Sequence, residues 1–117
     1  MKKIFVVDDD ESIGEVVSQM LEIEGFEVKS FLKGKDSIKE IKKEDPDLVL
    51  LDYFLPGEDA AQTIENIKCS ANGDLPIVLM SASVQAANHA KALAVSEFVS
   101  KPFQRDTLID AIRRNLN

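Results

Sequence analysis

Cysteine is almost missing from this chain. The single Cys69 cannot close an internal disulfide, and the spacing of a cysteine-rich metal site is absent. Long apolar runs are missing as well. Stretches such as Leu48–Leu51 fall far below the roughly 20 residues a membrane-crossing helix needs. Met1-Lys2-Lys3 leads into Ile4-Phe5-Val6-Val7 before acids begin, so no secretion signal is visible and a cytoplasmic location is expected. Positive charge is in deficit: 14 Lys and Arg against 21 Asp and Glu give a formal net charge of −7. That balance opposes direct binding to nucleic acid or to an anionic membrane, but not to a divalent cation. The one histidine, His89, is read as an exposed polar residue with no chemistry. No repeat, low-complexity tract or Pro/Ser-rich linker divides the 117 residues, so one domain over 1–117 is expected. At 44% hydrophobic and 30% charged, the chain is neither disordered nor fibrous.

What the sequence does contain is a rhythm. A short apolar run, a turn and a helical pattern follow one another five times. The runs are Lys3–Val7, Phe26–Phe31, Leu48–Leu51, Pro76–Met80 and Val95–Val99. After the first run, Ile13, Val16, Val17, Met20 and Leu21 fall on an amphipathic helical stripe. Ala60, Ile64 and Ile67 repeat that spacing, as do Leu108, Ile112 and Leu116, and helices are also expected near 35–43 and 84–93. Such alternation predicts an α/β fold, a parallel sheet with five helices on its two faces. The first, third and fourth runs are continuously apolar, as interior strands must be, whereas Phe26-Glu27-Val28-Lys29-Ser30 alternates like an edge. The last run, with Ser96 and Glu97 beside Phe98 and Val99, reads as the other edge. Burial and right-handed crossovers then favour the order 2-1-3-4-5, a doubly wound, flavodoxin-like sheet whose ligands sit beyond the carboxyl ends of the strands.

At those ends lie Asp8-Asp9-Asp10, Asp52, Ser81 and Lys101-Pro102, each where an apolar run stops. Taken singly, each has an ordinary reading. The acidic triplet would cap a helix, Asp52 would serve a turn, Ser81 or Ser83 would cap the next helix, and Lys101 would be a solvated lysine. Together they are a cation and phosphoryl site. Carboxylates crowded on one rim raise each other's pKa unless a counter-charge intervenes, and Mg²⁺ is the hard, oxygen-seeking ion for that task. Lys101 adds a fixed positive charge and Ser81 a hydroxyl donor, both suited to a transferring phosphoryl group, with one carboxylate as nucleophile.

The set Val7-Asp8-Asp9-Asp10, Asp52 with Pro56 four residues on, Met80-Ser81-Ala82 and Lys101-Pro102-Phe103 resembles the receiver domain of bacterial two-component response regulators. The likeness runs through the whole chain, every motif in order. It implies that Asp52 is the phosphoacceptor, taking its phosphoryl group from the phosphohistidine of a histidine kinase or histidine phosphotransfer protein. It implies that Asp8 and Asp9 hold Mg²⁺, Asp9 more directly, with Asp52 and the backbone carbonyl of Phe54 as further ligands. Ser81 and Lys101 match the pair that binds the phosphate, Pro102 the proline usually preceded by a cis peptide, and Phe98 the aromatic switch position. Asp10 is read as a helix cap or outer-sphere acid. Ala60 and Ala94 replace residues that are commonly glycine in the family, so those turns need no positive φ here. Phe98 lacks the hydroxyl of the frequent tyrosine, and Phe54 and Ser83 flank the route of a hydrolytic water. The implied readout is a shift of Ser81 and Phe98 that repacks the face of the fourth helix, fifth strand and fifth helix, residues 84–93 and 104–114. A downstream protein or a fused output domain would read it. On this view the chain is a signalling receiver and no enzyme, catalysing only its own phosphorylation and dephosphorylation. Arg105, Arg113 and Arg114 are too few for DNA binding and are read as a solvated helix end.

Three rivals share parts of the pattern. Asp8-x-Asp10-x-Ser12 resembles the nucleophile motif of a small haloacid-dehalogenase-type phosphatase, with Asp8 as nucleophile, but a later acidic metal motif is missing and Asp52 is left unexplained. A flavin-binding electron carrier shares the layers, yet three aspartates after the first strand would repel its phosphate. A receiver that has lost phosphorylation is opposed by the intact set of five residues.

Overall fold

Strands and helices alternate strictly: β1 (Lys3–Val7), α1 (Glu11–Ile23), β2 (Glu27–Phe31), α2 (Gly34–Glu44), β3 (Leu48–Asp52), α3 (Ala60–Ser70), β4 (Ile77–Ser81), α4 (Val84–Ala90), β5 (Glu97–Ser100) and α5 (Arg105–Arg114). The computed structural model describes residues 1–90 and 92–116. All strand pairings are parallel, and the sheet order is β2-β1-β3-β4-β5, as the burial pattern of the sequence implies.

Because successive side chains of a strand face opposite ways, each interior strand feeds two cores. Ile4, Val6, Leu48, Leu50, Val78 and Met80 pack on one side with Val17 and Leu21 of α1 and Leu108 and Ile112 of α5. Phe5, Val7, Val49, Leu51, Ile77 and Leu79 pack on the other with Ile41 of α2 and Ile64 and Ile67 of α3. Cutting one of these fully buried side chains to alanine would cost roughly 2–5 kcal/mol. The sheet is therefore a stiff platform for whatever projects from its rim.

The α1 stripe is narrower than its apolar residues suggest. Val17 and Leu21 are buried with Gly14, while Ile13 is 37% and Val16 58% exposed. Positions 14, 17 and 21 form the ridge that faces the sheet. Ile13 and Val16 each precede a member of that ridge by one residue, about 100° around the helix, and so lie on its flank. At the other edge, β5 begins at Glu97 rather than Val95, because the Val95 N–H is taken by the Leu93 carbonyl in a tight turn at 2.9 Å. Within the expected 84–93 segment the described residues are helical over Val84–Ala90 and in a turn over 92–94. Lys91 of that segment and Asn117 lie outside the described residues. Leu116 follows α5 instead of belonging to it, though it still packs against the first core.

Candidate functional site

Register delivers the rim residues to one another. Val7 of β1 lies beside Leu51 of β3, so the next residues, Asp8 just past β1 and Asp52 at the end of β3, are neighbours on the rim. Asp52 lies beside Met80, which puts Ser81 one step further out, and Ser81 lies beside Ser100, immediately before Lys101. Four strands thus bring their terminal polar residues together without any long loop. Asp10 caps α1, accepting the N–H groups of Ser12 at 3.0 Å and Ile13 at 3.2 Å, so its carboxylate belongs to the helix. Ser83 caps α4 through the Ala86 N–H at 3.3 Å, which relieves Ser81 of that duty.

Asp8, Asp52 and Ser81 are 2%, 8% and 2% exposed, a degree of burial that polar groups tolerate only with partners. The Lys101 ammonium is one partner, 3.0 Å from Asp8 Oδ2 and 3.4 Å from Asp52 Oδ2. The remaining carboxylate oxygens take backbone donors: Asp10 N–H bonds Asp8 Oδ1 at 2.9 Å, and Phe54 N–H bonds Asp52 Oδ1 at 3.3 Å. Ser81 Oγ accepts the Ser83 N–H at 3.1 Å. Burial, then the charge of Asp8, push the Asp52 carboxyl up to about 6, against the opposing pull of Lys101. Burial works against the Lys101 ammonium too, but its bond to Asp8 and the charge of Asp52 outweigh that and hold it above the ordinary lysine value.

Asp8, Asp9 and Asp52 each offer a carboxylate oxygen within 4.8 Å of the other two. One lysine does not balance three such charges. An oxygen-only donor set with surplus negative charge fits a hard divalent cation. A cleft of about 630 Å³ opens in front of the group, walled by Asp9, Asp52, Phe54, Ser81 and Lys101.

The sequence-derived residues therefore converge, with two of them set apart. Phe98 is half-buried against the second core, beside Leu79 in the ladder, and does not line the cleft. Pro102 is exposed and its peptide bond with Lys101 is cis. The Phe54 side chain is 59% exposed.

Other contacts escape the sequence pattern. Tyr53, next to Asp52, hydrogen-bonds His89 on α4, so that histidine is exposed yet engaged. The arginines of α5 are also engaged: Arg105 and Arg113 both pair with Glu24, and Arg114 pairs with Glu97. Only folding brings these partners together, since 81 residues separate Arg105 from Glu24.

Comparison with known families and structures agrees with this architecture. The sequence model of the response regulator receiver domain matches residues 4–113. The Vibrio cholerae chemotaxis protein CheY4 superposes with a TM-score of 0.88 over 99% of both chains at 25% identity. NtrX from Brucella abortus is 31% identical and superposes with a TM-score of 0.88, covering 97% of this chain and 26% of that one. A CheY-like receiver domain protein from Methanospirillum hungatei shares the fold at 24% identity, with a TM-score of 0.87.

Proposed function

Since this chain belongs to the response regulator receiver domain family, we propose that residues 1–117 form one receiver domain in which Asp52 accepts a phosphoryl group from the phosphohistidine of a kinase or phosphotransfer protein. The observation that supports it is the meeting of Asp52 with Lys101 at 3.4 Å, beside two further carboxylates and at the head of an open cleft.

In the transfer, a carboxylate oxygen of Asp52 attacks phosphorus, the phosphorus–nitrogen bond of the donor breaks, and the departing imidazole takes a proton from solvent. The product is an aspartyl phosphate. Asp8, Asp9, Asp52 and the Phe54 carbonyl would hold Mg²⁺, which when bound neutralises the charge gathering on the phosphoryl oxygens. Lys101 stands where those oxygens arrive and stabilises them as a fixed cation. Ser81 exchanges its Ser83 contact for the phosphate, donating its hydroxyl. The space that Ser81 vacates admits the Phe98 ring, and the face of α4, β5 and α5 repacks for a downstream protein or fused output domain. The protein acts in the cytoplasm as a signalling receiver, catalysing only its own phosphorylation and dephosphorylation.

The test is to treat the protein with acetyl phosphate and Mg²⁺ and to map the modified residue by mass spectrometry after borohydride trapping. Label on Asp52, lost in Asp52→Asn, is the expected result. Label on Asp8 would transfer the protein to the phosphatase reading, and no label at all would leave a binding-only domain.

A further inference from the structure

Helix α2 begins without a cap of its own: Lys33, its N-cap residue, makes no side-chain hydrogen bond to the first turn. The missing acceptor comes from another part of the chain. Glu58, in the loop between β3 and α3, accepts the Gly34 N–H through Oε2 at 3.0 Å, and its Oε1 lies 3.5 Å from the Thr63 hydroxyl of α3. A carboxylate at the positive end of a helix is held by charge as well as by the hydrogen bond. The fit is close. A Cβ on Gly34 would stand 2.6 Å from Glu58 Oε1 and 2.7 Å from Thr63 Cγ2, so a larger residue at position 34 would push the carboxylate or the Thr63 methyl aside.

The loop closed by this contact starts at Asp52. At its near end, Tyr53 N–H bonds the Met80 carbonyl at 2.8 Å and Phe54 N–H bonds Asp52 Oδ1. Leu55 is buried, and its carbonyl takes the Glu58 N–H at 3.0 Å across a turn that uses Gly57 at a φ of 75°. Phe54 is thus suspended between two anchors, the sheet at one end and α2 at the other. Glu58 also lines the cleft that holds Asp52, where a loose carboxylate would compete for a cation.

We propose that Glu58 is a positioning residue of the phosphoryl site: by capping α2 it clamps the far end of the acceptor loop and so fixes the Phe54 backbone at the cation-binding position. The proposal rests on the function given above and acts through the loop, since the hydrogen-bond partners of the Glu58 carboxylate are Gly34 and Thr63.

The experiment measures Mg²⁺ affinity and the rate of acetyl phosphate labelling in wild type, Glu58→Ala, Glu58→Gln and Gly34→Ala, with melting temperature recorded alongside. Tyr53 is the only tyrosine and tryptophan is absent, so intrinsic fluorescence reports directly on this loop. Expected is a loss of Mg²⁺ affinity of about tenfold in Glu58→Ala, the lower end for residues that orient metal ligands. Labelling at subsaturating Mg²⁺ should slow in step and recover when Mg²⁺ is raised. Glu58→Gln, which keeps an acceptor oxygen, should restore most of the affinity, and Gly34→Ala, which displaces the carboxylate, should behave like Glu58→Ala. If Glu58→Ala lowers the melting temperature but binds Mg²⁺ and labels like wild type, the clamp serves only stability and the proposal falls. If wild type is not labelled on Asp52, it is the underlying function that fails.

Discussion

The hydroxyl of Tyr53 meets Nδ1 of His89 at 2.5 Å, and their rings cross edge to face with centroids 5.7 Å apart. The residue after Asp52 is thereby tied to α4, whose first turn is capped by Ser83, two residues after Ser81. If α4 shifts when Asp52 is modified, this bond is stretched. We expect beryllofluoride with Mg²⁺ to change tyrosine emission in the wild type and to change it markedly less in His89→Ala. Equal responses in the two proteins would remove the contact from the switching pathway. Tyr53→Phe should lower stability by no more than about 1 kcal/mol, because an exposed hydrogen bond contributes little net.

Asp52 is a source of instability when no cation is present. Its folded pKa, about 6, is above the ordinary carboxylate value, so the folded state binds the proton more tightly than the unfolded state does. The resulting penalty is absent below about pH 4, develops as pH rises, and is complete above about 6. Asp52→Asn should therefore melt higher than wild type at pH 7.5 in chelator, and the difference should shrink steadily toward pH 4. A constant difference across that range would show that the pKa is not displaced.

Cation binding should offset the same penalty. At a hundredfold excess over Kd, Mg²⁺ would stabilise the fold by about 2.7 kcal/mol, read as a rise in melting temperature that EDTA abolishes. Asp9 is the exposed member of the acidic trio, so Asp9→Ala should fold normally yet show little of that rise. A full Mg²⁺ response in Asp9→Ala would take this residue out of the ligand set.

Lys101 is closer to Asp8 than to Asp52, by 3.0 Å against 3.4 Å, and it is the fixed cation for both. Lys101→Ala would leave two buried carboxylates without it and should destabilise the metal-free protein by roughly 3 kcal/mol. Part of that loss should return with Mg²⁺. Labelling of Asp52 should fall about 100-fold even at saturating Mg²⁺, the typical effect of removing one preorganised charge-stabilising donor. Wild-type labelling rates in this variant would exclude Lys101 from the transfer.

The sheet order was readable because burial leaves a mark on each strand: continuous apolar residues in β1, β3 and β4, alternation in β2. The rim was readable because Asp8, Asp52 and Ser81 each interrupt an apolar run at its end, and Lys101 follows the last run after a single serine. Side-chain partnerships across the fold left no such mark. Glu58 and Gly34 are 24 residues apart, and a glutamate in a polar loop has the same local pattern whether it caps a distant helix or faces water. Ile13 and Val16 misled for a related reason, since periodicity marks an apolar stripe but not which ridge of it meets the sheet. The β5 boundary moved because Val95 has the composition of a strand but spends its N–H on a turn.

The arginines of α5 carry one more consequence. Arg105 and Arg113 converge on Glu24, and Arg114 on Glu97, which also accepts from Asn115. A surface that looks cationic along the chain is thus largely compensated in space. An acidic partner approaching α5 would have to displace Glu24 or Glu97 before meeting an uncommitted guanidinium, so recognition there is governed by contour and apolar fit more than by long-range attraction.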